Sequence, residues 1–495
     1  ARIAEDVDAA LRTSAPVDLL NRVLLVSMQE LGRRFGAGEL QLPFVLAGAE
    51  AMKAAVARLR PHLPRGAEGA KGRVLLATVK GDVHDIGKNL VGILLENNGW
   101  EVEDLGIQVP PERLAEALEA RPAAALGLSG LLVKSTAAMR DSLQVLAERG
   151  HRLPVLLGGA ALTRGFVAEV CQPAYGGPVH YAADAFDGLQ ILEGLRAGEA
   201  GAEAVPSAQG TSPEVGVALD SEGRSSWVRR PEVLPRAPFL GVRGAEPGLQ
   251  ELFDWLDTFV VMRHRWAFTQ GALDDAAYEA LLREKAQPLL EAWKVRLLAE
   301  PILRPRARYG FFRARSRGEA LELLEPEGDR VLRTLRFPRQ PGGRRLCVAD
   351  FFEPAASERE DVAALQLVTL GPEASAFASR LHAEGRYADY FAFHGLATEL
   401  TEACAEWMHA RIRRELGIHG MDAPRLRQRL AQGYQGSRFS FGYPACPSLE
   451  ANGELLALLE GGTLGVALTE TFQMVPEFST CALVASHPQA RYFAV

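Results

Sequence analysis

The feature that most constrains this chain is a strand–loop–helix–strand pattern between residues 73 and 106. Arg73-Val74-Leu75-Leu76-Ala77-Thr78-Val79-Lys80 is an apolar run that reads as a buried strand. Leu90-Val91-Gly92-Ile93-Leu94-Leu95-Glu96 reads as a helix ended by Asn97-Asn98-Gly99, and Trp100 to Gly106 reads as a second strand. Together they make one βαβ unit, and ligands in such folds sit at the carboxyl ends of the strands. The polar loop Gly81-Asp82-Val83-His84-Asp85-Ile86-Gly87-Lys88-Asn89 is therefore where an open parallel sheet presents its chemistry. One nitrogen of His84 can bind a metal while the other donates to a carboxylate, which Asp82 can supply. The alternative is a satisfied loop histidine, with Asp82 capping the following helix.

The alternation continues to about Glu193. Helices are expected at 114–120, 135–149 and 185–195, strands at 123–128, 155–157 and 179–181, and a helical stretch at 168–170. That pattern implies a doubly wound parallel α/β domain of flavodoxin or Rossmann type over residues 65–198. Residues 1–64 contain no strand-like run. Val17–Met28 and Leu46–Leu59 have apolar residues at helical spacing, and Pro43 marks a helix start, so a small helical bundle is expected. Residues 199–235, rich in Gly, Ala, Pro, Ser and Glu, read as an interdomain linker. From 236 to 495 the texture becomes α+β, with strand candidates at 320–324, 329–336, 345–352 and 363–371 and a long helical stretch from Ser379 to Leu416.

The 495 residues, 47% hydrophobic and 24% charged, are enough for three or more domains with their own cores. A formal net charge of -7 argues against nucleic acid as the main partner. The cysteines at 171, 347, 404, 446 and 481 form no Cys-x-x-Cys pair, against both a disulfide framework and a clustered zinc site. No signal peptide and no run long enough to span a bilayer are seen, so a cytoplasmic protein with no membrane partner is expected. The chain opens inside a helical pattern without a Met, which reads as a piece of something longer.

Three motifs then stand in order, each after a strand-like run: Asp82-x-His84-x-x-Gly87, Gly127-Leu128-Ser129-Gly130-Leu131, and Leu157-Gly158-Gly159-Ala160. They resemble the cobalamin-binding signature of the cobalamin-dependent methionine synthases. The resemblance implies that His84 replaces the nucleotide base below the cobalt and is the metal ligand. It also implies that Asp82 polarises His84 and that Ser135 completes a His–Asp–Ser relay. Gly81, Val83, Asp85, Ile86, Gly87, Ser129, Leu131, Gly158 and Gly159 would line the cofactor, since glycines at strand ends let a backbone approach something bulky and flat. Read by itself, Ser135 is a helix N-cap. Leu31 to Pro43 is similar to the family's cap over methylcobalamin, which implies that Phe35, Leu42 and Val45 shield the cobalt-bound methyl. The alternative for all three is plain bundle core.

Further on, Arg438-Phe439-Ser440-Phe441-Gly442-Tyr443-Pro444-Ala445-Cys446-Pro447 resembles the reactivation-domain segment of the same family, which binds S-adenosylmethionine. Leu468–Pro476 and Ser486–Tyr492 fit that domain too. A guanidinium grips a carboxylate in a fork. The resemblance implies that Arg438, Gly442, Tyr443 and Ala445, with the acids Asp257 and Glu402, contact S-adenosylmethionine. Against this, Glu402, Glu406 and His409 have the spacing of a solvated helix face. Pro444–Pro447 likewise reads as a rigid turn with an inert thiol. The acid that usually precedes the arginine is Gln432 here, and no contact is expected from it.

Over almost the whole chain, the resemblance implies the C-terminal portion of a cobalamin-dependent methyltransferase. Such a portion carries methylcobalamin for methyl transfer to homocysteine and remethylates Co(II) cobalamin with S-adenosylmethionine and an electron from an outside donor such as flavodoxin. Homocysteine- and folate-binding domains would be absent from this chain, zinc would sit only on the missing N-terminal part, and the isolated piece would be limited to reactivation. Two other classes stay open. A cobalamin-based sensor would need a DNA-binding helix-turn-helix, which is not seen. A cofactor-free doubly wound binding module would leave His84 structural.

Overall fold

The computed structural model describes residues 2–24, 26–27, 30–31, 34, 40–62, 71–131, 133–159, 162–197, 217–271 and 273–493. Contacts divide it into two units. The first holds Ala1–Ala208, Met262–Pro288 and Ser379–Phe393; the second holds Gln209–Val261, Leu289–Ala378 and His394–Val495.

The first unit begins with helices Arg2–Ala10 and Leu42–Leu59, with a short helical passage over Pro16–Asp18 and Leu19–Leu24 between them. Val45, Leu46, Ala49, Met52, Ala55 and Leu59 recur at three- and four-residue steps and are all buried, which is why this segment is a helix and which side faces in. Five parallel strands follow: β1 (Arg73–Thr78), β2 (Glu101–Asp104), β3 (Ala125–Ser129), β4 (Val155–Gly158) and β5 (Val179–Tyr181). Their spatial order is β2-β1-β3-β4-β5, with helices Ile86–Asn97, Pro111–Ala120 and Val133–Glu148 among the connections and Ala185–Ala197 after β5.

Every residue of β1 is buried, as a strand covered on both faces requires. Leu75 and Ala77 pack with Leu126, Leu128, Leu157, Met139 and Leu143 on one side. Val74 and Leu76 pack with Leu95, Leu156 and Leu192 on the other. Each such Val or Leu contributes about 1.5–3 kcal/mol by leaving water. The chain leaves β1 for β2 on one side and crosses back to β3 on the other. The crevice beyond the carboxyl ends of β1 and β3 is therefore the switch point of the sheet.

The second unit is built on a seven-stranded antiparallel sheet. Its path runs β11 (Ser437–Ser440), β14 (Ser479–Ala485), β10 (Asp361–Thr369), β7 (Arg306–Arg317), β8 (Ala320–Leu324) and β9 (Val331–Arg336), and β6 (Gly241–Ala245) also pairs with β7. β12 (Ala467–Leu468) and β13 (Met474–Val475) form a separate ribbon. All nine residues of β10 are buried. From His394 on, the helix Tyr387–Glu415 belongs to this unit.

Two expected elements differ. Residues 345–352 are no strand: Val348–Phe351 is a buried 3-10 turn. Buried Asp350 accepts from the Cys347 N–H at 3.0 Å and takes a two-pronged bond from Arg339 at 2.7 and 2.9 Å, and satisfying that charge curls the backbone. The stretch 379–416 is not one helix. Pro372–Ala383 closes with Gly385 and Arg386 N–H groups donating to His382 and Leu381 carbonyls, and a second helix starts at Tyr387. Among the described residues no helix is long and apolar enough to cross a membrane.

Candidate functional site

Asp82 stands just past β1 and is fully buried. Its Oδ1 accepts from the His84 backbone N–H at 2.9 Å and pairs with His84 Nδ1 at 2.8 Å. Its Oδ2 accepts from the Leu131 N–H at 2.6 Å and from the Ser135 hydroxyl at 2.5 Å. The carboxylate thus ties the loop after β1 to the segment after β3, across the switch point. Burial by itself would raise its pKa. The His84 ring and the Ser135 hydroxyl outweigh that and bring it down to about 2.

The helix-capping alternative for Asp82 therefore fails: the helix Ile86–Asn97 has Asp85 at its N-cap, with no side-chain cap bond. Ser135 is likewise no cap. It is the third residue of Val133–Glu148, and its hydroxyl points at Asp82. The His84 side chain is 25% exposed, and its Nδ1 is committed to Asp82, so Nε2 is the nitrogen suited to a ligand.

The other residues expected at this edge also sit there. Gly81, with φ +78, turns the chain after β1, and Val83 and Asp85 are half-buried. Ile86 opens the helix, and Gly87 is exposed. Ser129 ends β3, Leu131 is exposed, and Gly158 ends β4. Gly159 has φ +151, and a Cβ there would stand 1.8 Å from the Gly130 carbonyl oxygen, so the backbones after β3 and β4 touch directly. A bare backbone rim beside one half-open imidazole and an exposed Leu131 suits a broad, flat, largely apolar group. Val45 is buried and Leu42 half-buried on the helix Leu42–Leu59, whereas Phe35 lies outside the described residues.

A second cluster lies in the second unit. Arg438 on β11 donates from Nη2 to Glu402 Oε2 and to Glu406 Oε1, both at 3.0 Å. Burial would lower the arginine pKa, but the two acids outweigh it and raise it. The solvated-face alternative for this stretch is incorrect: Glu406 and His409 are buried, and the Glu402 side chain, 41% exposed, is the open end of the stripe.

Beyond β11, the Gly442 (φ +90) N–H donates to the Cys446 carbonyl and the Cys446 N–H to the Tyr443 carbonyl, both at 2.8 Å, which closes a tight turn with Tyr443 exposed and Ala445 buried. Burial pushes the Cys446 thiol up, leaving it protonated and unreactive. Asp257 is on another element, where its Oδ1 caps the turn Thr258–Val260 by accepting from Phe259 and Val260 N–H groups. Gln432 accepts from the Tyr492 N–H at 3.1 Å and so anchors the C-terminal segment.

Sequence reasoning missed the Leu131 N–H as an Asp82 partner, and a backbone donor leaves no signal to find. It also missed the inward direction of Glu406 and His409, for which the 402/406/409/413 spacing was the available clue.

Residues 248–495 match the family described as "Vitamin B12 dependent methionine synthase, activation domain". Residues 72–189 and 1–60 each match a family described as "B12 binding domain". The chain is 41% identical to a methionine synthase of Mycobacterium tuberculosis, over 99% of this chain and 44% of that protein. It is 39% identical to a methionine synthase of Mycobacterium leprae over the same shares. The chain thus spans less than half the length of these relatives. Among solved structures, the crystal structure of the MetH reactivation domain bound to AdoHcy superposes with a TM-score of 0.50 at 27% identity, covering 57% of this chain and 90% of that one.

Proposed function

This chain belongs to the vitamin B12-dependent methionine synthase activation-domain family, and from that premise we propose that it binds cobalamin on its parallel sheet and remethylates it with S-adenosylmethionine. Bound cobalamin supplies a cobalt that carries a methyl group between donor and acceptor. His84 would ligate it through Nε2. Asp82, kept ionised by four bonds from three chain segments, would fix the tautomer and raise the basicity of the ring. Ser135 would steady Asp82. The rim of Gly81, Val83, Asp85, Ile86, Gly87, Ser129, Leu131, Gly158 and Gly159 would seat the macrocycle, and Phe35, Leu42 and Val45 would cover its other face.

In the second unit Arg438 would take the carboxylate of S-adenosylmethionine. Glu402, half in solvent, is free to swing toward the ammonium, with Asp257 and the Gly442–Tyr443–Ala445 turn completing the site. An activation domain implies a separate reductive partner. We read that partner as a flavodoxin-like donor, the compartment as cytoplasm, and the chain as the C-terminal portion of a methionine synthase whose homocysteine and folate are bound elsewhere.

The single observation that carries the reading is the fully buried Asp82 bridging His84 and Ser135 across the switch point. The test is spectroscopic. His84→Gly should retain cobalamin and shift its visible spectrum near neutral pH to that of a cofactor without a lower protein nitrogen; an unchanged spectrum would sink the ligand assignment. In the parent, S-adenosylmethionine and a low-potential reductant together should restore the methylated spectrum, and neither should alone. Methyltetrahydrofolate with homocysteine should give little turnover.

A further inference from the structure

Behind Arg438 the stripe continues inward to His409, which is fully buried. Among the described residues neither of its ring nitrogens has a hydrogen-bond partner. Folded proteins rarely leave a buried imidazole so, because a neutral ring carries one donor and one acceptor that both need matching. The nearest acid oxygen is Glu406 Oε2, 3.9 Å from Nδ1, just too far for a bond, while the other oxygen of that carboxylate holds Arg438 at 3.0 Å. The ring stands edge-on to Tyr434, centroids 4.9 Å apart, and Arg413 lies over that Tyr434 ring at 4.0 Å while bonding Asp422. The charged and titratable groups around His409 are thus Glu402, Glu406 and Arg413 on its own helix, Tyr434 and Arg438 from the segment that packs on it, and Asp422 beyond Arg413. Burial first, then the positive charges of Arg413 and Arg438, hold the imidazole neutral.

A ligand carboxylate at Arg438 changes this balance. Two glutamates and the ligand then compete for one guanidinium. Glu402 is open enough to leave for solvent or for the ligand's ammonium; Glu406 is buried, with His409 Nδ1 3.9 Å from its second oxygen. We propose that His409 is a positioning residue for the S-adenosylmethionine site, taking up one proton from solvent as the ligand carboxylate claims Arg438 and pairing with the Glu406 carboxylate that this releases. The proposal rests on the assignment of Arg438 to that carboxylate. Its physical basis is that the ligand cancels the charge of Arg438, which had repelled a proton on His409, and frees an anion beside the ring. Binding and proton uptake are then linked, and each favours the other.

The experiment is calorimetric titration of the whole chain with S-adenosylmethionine, without reductant, near neutral pH in buffers of different ionisation enthalpy. The parent should show a heat that varies with buffer in proportion to about one proton taken up per ligand. His409→Gln should still bind, within roughly tenfold, and lose that dependence; Glu406→Gln should lose it too. No buffer dependence in the parent, or full dependence in His409→Gln, overturns the proposal. Should His409→Gln fail to fold, the parent and Glu406→Gln decide by the same criteria. Arg438→Ala separates the two claims. Unaltered affinity there overturns the carboxylate assignment and this proposal with it. Weakened affinity, with buffer dependence kept in His409→Gln, overturns the role of His409 alone.

Discussion

The clusters around Asp82 and Arg438 bury opposite charges and solve the problem differently. Asp82 is fully buried and takes four bonds from the loop after β1, the segment after β3 and the helix beyond it. Arg438 is held by two acids four residues apart on a single helix, one of them partly open to solvent. An ion clasped by segments that sheet topology brings together cannot change partners without opening the sheet edge. A cation facing a helix stripe can trade a partner at the open end. The first arrangement suits a fixed support under a cofactor, the second a site that a ligand enters and leaves.

The sharpest way to break this contrast is at two glycines. Gly159→Ala sets a Cβ 1.8 Å from the Gly130 carbonyl oxygen, backbone against backbone, and should cost the first unit about 4 kcal/mol or more in denaturant unfolding. Gly442→Ala at φ +90 meets instead the Leu449 side chain at 2.7 Å, which can move, and should cost about 1–3 kcal/mol. Equal losses would mean that both edges are equally rigid.

Next in size, Arg438→Ala should weaken S-adenosylmethionine by about 2–3 kcal/mol, the scale of a charge-assisted bond, with cobalamin retention unchanged. Calorimetry giving parent-like affinity would make Arg438 a structural cation only.

The third concerns pH. Asp82 is held at about 2 against an ordinary 3.8, so as pH falls the unfolded chain takes its proton first. The stabilisation, about 2 kcal/mol, is present above the ordinary carboxylate range and is lost as pH falls from about 4 to about 2. Asp82→Asn should remove this component from the pH dependence of unfolding, and an identical acid limb in both proteins would contradict the assignment.

The smallest effect is expected at Gln432. A glutamate there keeps an oxygen for the Tyr492 N–H, so Gln432→Glu should shift stability by no more than about 0.5 kcal/mol. A larger change would show that the amide nitrogen matters as well.

Much of the architecture is legible in the sequence. β5 and β8 lie at the expected residues, and β1 and the helix before β2 fall close to theirs. Apolar runs and their periods are local properties that survive folding. The failures have a local cause as well. Residues 345–352 carry strand-like apolar residues, but the buried Asp350 carboxylate needs donors that a straight strand would not bring to it. Residues 379–416 carry helical periodicity throughout, and three residues at 384–386 are enough to end one helix and start another.

By itself the sequence determined the order of strands and helices and the placing of His84, Ser129 and Gly158–Gly159 at strand ends, because neighbours along the chain set backbone period and turns. Tertiary structure decided what those residues meet. Ser135 looked like a cap and is an Asp82 partner, and Leu131 contributes only its backbone. Glu406 and His409 looked solvated and are buried. The helix repeat shows that residues 402, 406, 409 and 413 share a face, but the side on which β11 and Tyr434 cover it is set by packing between segments distant in the chain, and no local pattern encodes that.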